Sequence, residues 1–203
     1  LPPPDAVAAA AVADELIGVE RAVQQGSSFG LRAVDPVVIA AMLGIDDVPA
    51  FFERMLEHPV GADPRDLAVL LWCLETPLLR DVALVQWARD AEIGREALTV
   101  QLSYLDDGLS TPDHLGEVLI GRGRRPDPVR LGSALALMRT AASLAPGSHR
   151  TGALVAVGWL SWALGRSTHA AHAIALAREL TPSHSMASLI NQVLTAGILP
   201  EWA

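Results

Sequence analysis

Four arginines, Arg122, Arg124, Arg125 and Arg130, fall within nine residues around Gly121, Gly123 and Pro126. Fixed positive charge at that density can grip a phosphate or an acidic peptide. No aromatic stands nearby to stack a base, and the segment lacks the Gly-Lys-Ser/Thr end of a phosphate-binding loop. It reads as a solvated loop that offers a candidate anion or partner surface. Arg80-Asp81 is a second polar feature, set among Leu78, Leu79, Val82 and Leu84 just inside a helix start. An arginine with such neighbours must find hydrogen-bond acceptors inside the protein. The pair is therefore expected to be structural, with Arg80 bonded to a carboxylate or to helix-end carbonyls; an anion clamp is the alternative.

Other reactive residue types do not assemble into a reaction centre. His169 and His172 stand one helical turn apart and suit two metal ligands, with His184 or His149 as a third, but no cysteine pair or His-Glu-x-x-His context accompanies them. They read as helix-face histidines. Asp106-Asp107 precedes Gly108 and reads as a solvated helix end rather than an acid/base pair. Cys73, the one cysteine, lies in the run Leu70-Leu71-Trp72-Cys73-Leu74, where a thiol behaves as a small core hydrophobe. No catalytic residue, metal or cofactor is expected.

The elements that position these residues are helices. Proline follows an Asp or Thr at Asp35-Pro36, Asp63-Pro64, Thr76-Pro77, Thr111-Pro112 and Asp127-Pro128, the order of an N-cap and a first helical residue. Val12, Leu16, Val19 and Val23 give a buried face to a first helix starting near Asp5 and stopping before Gly26. Later helices are expected over 36–43, 48–57, 64–75, 77–90, 92–105, 112–120, 128–144, 149–164, 168–180 and 185–196. Strand-like alternation is nearly absent. Short links predict antiparallel packing of neighbours in an all-α array, divided into residues 1–62, 63–126 and 127–203 of one continuous helical body.

One pattern occurs twice. Ala134, Met138, Ala141, Leu144 and Pro146 return 36 positions on as Ala170, Ile174, Ala177, Leu180 and Pro182. Small residues seven apart make a close-packing stripe, and the proline ends the helix. With Gly158 twelve before Ala170 and Gly165 at the turn, residues 154–182 resemble one tetratricopeptide-type hairpin, capped by the helix at 185–196. Leu154 and Ser161 depart from that motif where it prefers tryptophan and tyrosine. Trp159 and Trp162 are expected to fill the core between alanine-rich helices.

Residues 64–203 carry a wider likeness. The run Leu67 to Leu74, the segment Leu79-Arg80-Asp81-Val82-Ala83-Leu84, the helix Val157-Gly158-Trp159-Leu160-Ser161-Trp162, Ala175-Leu176-Ala177, and the close Ala196-Gly197-Ile198-Leu199-Pro200-Glu201-Trp202 resemble the C-terminal half of an actinobacterial family known as domain of unknown function 4192. The resemblance implies a mixed α/β domain upstream and brings no activity and no catalytic residues.

Composition bounds the remaining choices. The 203 residues are 51% apolar, enough for one sizeable core. All 15 basic residues are arginine. The net charge of -8 is uneven: residues 1–113 hold 7 Arg against 19 acidic side chains, residues 114–203 hold 8 Arg against 4. Such faces keep a protein soluble, or present the basic half to an acidic partner. No signal peptide precedes the helices, and the apolar stretch 152–165 is too short to span a bilayer. Pro2-Pro3-Pro4 reads as an interdomain linker, and the chain as part of a longer, cytoplasmic protein. The expected role is a non-catalytic helical domain that contacts protein, either its own N-terminal domain or another chain, with a homo-oligomer as one form. The alternatives are the scaffold of an enzyme whose active site lies upstream, and a nucleic-acid-associated regulator using the Arg122 to Arg130 loop, whose binding would fall steeply with salt. A membrane partner is not expected.

Overall fold

In the computed structural model, which describes residues 1, 5–28, 36–107 and 113–203, every regular element is a helix. They are α1 (Ala6–Ser28), α2 (Pro36–Met42), α3 (Val48–Glu57), α4 (Pro64–Glu75), α5 (Pro77–Ala88), α6 (Ala91–Asp107), α7 (Asp113–Leu119), α8 (Pro128–Leu144), α9 (Arg150–Ala163), α10 (Ser167–Leu180) and α11 (Ser185–Thr195), with a 3-10 turn at Gly147–His149. The all-α array is thus realised. Two expected ends move: α1 runs through Gly26 to Ser28, and α6 runs two residues past Leu105. A single glycine costs a helix only about 1 kcal/mol, too little to stop a long one.

The caps explain the starts. Asp63 accepts from the Arg65 backbone N–H at 2.9 Å and Asp127 from that of Val129 at 2.8 Å, each ahead of a proline. Asp47 caps α3 in the same way through Ala50, and Asp90 caps α6 through Glu92 and Ile93. Thr76 departs from expectation. Its hydroxyl makes no cap bond to α5 and instead donates back to the Trp72 carbonyl at 3.3 Å, so it closes α4. Asp35, the Thr111-Pro112 pair, Pro2-Pro3-Pro4 and Gly108 lie outside the described residues, as do the side chains of Asp106 and Asp107.

Packing follows chain order most strictly in the second half. There α8, α9, α10 and α11 pack in succession, most closely α9 on α10. Ala134, Ala141, Ala170 and Ala177 are fully buried. Gly158 of α9 lies so near α10 that a Cβ there would sit 2.5 Å from Ile174 Cδ1. In the first half α5 packs on its neighbours α4 and α6, and cross-packing is added to this. α1 lies on α4 and also reaches α2 and α8, while α3 lies against α5, α6 and α8 rather than chiefly against its chain neighbours. One apolar core runs from Val12 on α1 to Ile190 on α11. Cys73 is fully buried in it, and burial pushes its thiol pKa up.

A polar staple joins the acidic and basic halves at the margin of that core. Arg130 binds both oxygens of Glu53 and donates to the Gln86 carbonyl at 3.2 Å; Gln86 donates to Glu53 at 2.6 Å and to the Pro49 carbonyl at 2.8 Å. Burial alone would raise the Glu53 pKa, but the Arg130 and Gln86 hydrogen bonds and the Arg130 charge outweigh it and hold it below the usual value.

Candidate functional site

The tryptophans of α9 wall a cavity. Trp159 donates from Nε1 to the Leu119 carbonyl at 2.9 Å, which ties α9 to the end of α7. Trp162, one turn on, donates to the Ile198 carbonyl at 2.8 Å and ties α9 to the segment after α11. Gly121 makes the tie possible. Its φ of +81 suits glycine, and a Cβ there would meet Trp162 at 2.5 Å and the Pro200 backbone at 3.0 Å. The Glu201 N–H donates to the Gly121 carbonyl at 2.8 Å, and Trp202 returns a bond to the Ala163 carbonyl at 3.0 Å. Both indoles of α9 are nearly fully buried, as the sequence led us to expect, but they also wall a space.

That space, about 490 Å³, lies among α5, α7, α9 and α11. Its walls are apolar: Leu119, Trp159, Trp162, Met186, Ile190 and Val193. Met186, Leu189, Ile190 and Val193 recur at intervals of three, one and three, so α11 turns a full apolar stripe toward the cavity. Leu189 and Ile120 stand at its edge, 60% and 57% exposed. Ile198 and Leu199 are also exposed, on the segment that Trp162 pins.

Arg80 and Asp81 supply the polar end. Arg80 is only 4% exposed yet lines the cavity. Its Nε and Nη2 both donate to Asp81 Oδ1, at 2.9 and 2.8 Å. A single oxygen takes both bonds, so Asp81 Oδ2 is not used by the guanidinium, and Nη1 has no partner among the described residues. Burial raises the Asp81 pKa, against the lowering effect of the Arg80 charge and hydrogen bonds. His184 begins α11 and accepts the Ala187 N–H through Nδ1 at 3.3 Å. Burial first, and the nearby Arg80 charge second, hold its pKa below the usual histidine value, which suits a neutral acceptor. Ser185 and Met186 in the first turn of α11, and Pro77 in that of α5, also border the cavity.

Residues 129–201 match the family model of the domain of unknown function DUF4192. That stretch is under half of the chain and contains α9, α10, α11, both cavity tryptophans and Pro200. Arg80, Asp81 and Gly116 lie before it, so the cavity is shared between the DUF4192 stretch and the helices that precede it. No curated protein and no solved structure matches the chain.

The remaining candidate residues are dispersed. Arg130 is taken up by Glu53 and Gln86 in the staple. Arg122 lies 3.5 Å from Glu201 in an exposed ion pair, and the Arg124 carbonyl accepts a bond from Arg89, whose guanidinium sits over Trp202. Arg125 is exposed beside Arg166. The loop thus keeps Arg124 and Arg125 outward, with Arg122 in a weak surface pair. His169 and His172 border a shallow hollow of about 90 Å³ with Arg139 and Arg166, while His149 bridges Glu75 at 3.0 Å and Glu20 at 3.2 Å. Among the described residues no three His, Cys, Asp or Glu side chains gather where they could hold a metal ion, and no helix is long and apolar enough to cross a membrane. Sequence reasoning missed the cavity and the staple. The apolar stripe of α11, too wide for a helix that covers one neighbour, was the available signal for the cavity; none marks a staple whose members stand 33 to 77 residues apart.

Proposed function

We propose that the chain is a non-catalytic interaction domain that receives an acidic amphipathic segment of another polypeptide. The observation that carries this reading is the exposed apolar edge formed by Ile120 and Leu189 over a cavity. Single exposed apolar residues are ordinary on a protein surface, whereas exposed apolar residues that rim an apolar cavity mark a contact site. Charge supports the acidic character of the partner: Arg122, Arg124 and Arg125 follow Ile120 directly, in the half of the chain with 8 Arg against 4 acids. In this reading α9 and α10 act as a tetratricopeptide-like hairpin, with Gly158 and the buried alanines as close-contact points, and α11 as its cap. The setting is cytoplasmic. The nucleic-acid alternative loses Arg130 from its basic loop, since Glu53 and Gln86 hold that side chain.

A photo-crosslinking residue placed at Leu189 in cells tests the reading. A discrete protein adduct is expected there, weakened when Arg122, Arg124 and Arg125 become alanine, and absent from the same probe at exposed Val7 on α1. No protein adduct at Leu189, or equal adducts at both positions, overturns the proposal.

A further inference from the structure

We propose that the cavity below the Leu189 edge is a binding site for a small amphipathic acid, its apolar tail between Trp159, Trp162, Met186 and Ile190 and its carboxylate on Arg80. The inference goes beyond the protein-contact reading, which uses the exposed edge, and rests on the walls of the cavity beneath it. Ligand pockets run from about 300 to 1,000 Å³, and the 490 Å³ here, open at the Leu189 edge, falls within that range.

The polar end selects the head group. A buried guanidinium needs its donors satisfied, and Arg80 spends two of its groups on one oxygen of Asp81 while Nη1 stays free beside the cavity. Asp81 balances the formal charge of Arg80. Two further sources of positive potential meet the same end, the first turns of α5 and α11, marked at the cavity by Pro77 and by Ser185 and Met186. The sum favours an anion with a planar acceptor pair, which a carboxylate supplies and an alcohol or ammonium does not. The remaining walls are hydrocarbon or indole, which calls for an apolar tail.

Titration of the whole chain with dodecanoate, followed by tryptophan emission, reads occupancy directly, because two of the five tryptophans line the cavity. Dodecanol and dodecylamine serve as head-group controls. Saturable dodecanoate binding is expected, tighter than either control by about tenfold or more, the worth of a hydrogen bond to a charged group. Gly116 provides the second arm: it borders the cavity on α7, and a Cβ added there meets nothing within 4 Å. Gly116→Leu should fold as the parent does and lose dodecanoate. Arg80→Gln should bring dodecanoate down to the affinity of dodecanol; should that variant not fold, the head-group series and Gly116→Leu decide. Equal binding of all three amphiphiles, retention of binding by Gly116→Leu, or no saturable dodecanoate signal overturns the proposal. Each of these outcomes leaves a protein adduct at Leu189 intact, so this proposal and the protein-contact reading fail separately.

Discussion

Gly158→Ala should destabilise the protein, and should do the opposite once Ile174 is shortened. The new methyl carbon would sit 2.5 Å from Ile174 Cδ1 and 2.7 Å from Cγ1, where carbon atoms rest comfortably at about 3.5 to 4.0 Å. The shortfall of roughly 1 Å must be taken up by Ile174, which is fully buried, and overpacking of this kind costs about 1 to 3 kcal/mol. Against it stands the gain of alanine over glycine inside a helix, about 1 kcal/mol. The net is a loss centred near 1 kcal/mol, or about 2 to 4 °C in melting temperature for a chain of this length. Ile174→Ala alone removes the obstructing atoms and opens a hole, costing about 2 to 5 kcal/mol. In that background the Gly158→Ala methyl partly fills the hole and the helix gain is kept, so the double variant should be more stable than Ile174→Ala by about 1 kcal/mol. Urea unfolding of the four proteins, followed by far-UV circular dichroism, measures the cycle. If Gly158→Ala shifts stability by the same amount and sign in both backgrounds, the close approach of α9 to α10 is not what glycine serves here.

The remaining expectations rest on other contacts. Ala177→Leu and Ala170→Leu put larger side chains at fully buried positions and should each cost about 1 to 3 kcal/mol; melts equal to the parent's would remove the alanine stripe from the account. Glu53 has a lowered pKa in the folded protein, so the stability it contributes is present above the usual glutamate value of 4.5 and lost as pH falls through the lower folded value. The advantage of the parent over Glu53→Gln in urea should therefore shrink below that pH, and an unchanged gap down to strongly acid pH speaks against the staple. The purified chain should show no turnover in hydrolase, transferase and phosphatase screens, and a reproducible activity abolished by one point change would make it an enzyme.

Local features were legible where local chemistry decides them. The Asp-Pro pairs at 63 and 127, the period of α8 to α10, and the span of α3 follow from caps and spacing within a dozen residues. Thr76 misled because a threonine between two helices can serve either, and the carbonyl of Trp72 won. The Arg80-Asp81 pair was legible as a structural contact, yet not as one wall of a cavity, since the other walls come from residues 116 to 193. Arg130 was grouped with its loop because proximity in sequence is all a sequence offers; its partners Glu53 and Gln86 arrive from the opposite half by tertiary packing.

That same staple bears on how the chain comes apart. In an open solenoid each unit touches only its neighbours, so unfolding can begin at an end and travel inward unit by unit. Here α3 is tied to α8, α1 reaches α8, and α4 and α5 both reach α9, so the early helices hold the hairpins that follow them. Peeling α10 and α11 away would strip cover from α9, which in turn supports α4 and α5. Heat or urea should accordingly meet one shared transition rather than a staircase, and loosening a helix near one end should be felt in the amide protection of the other.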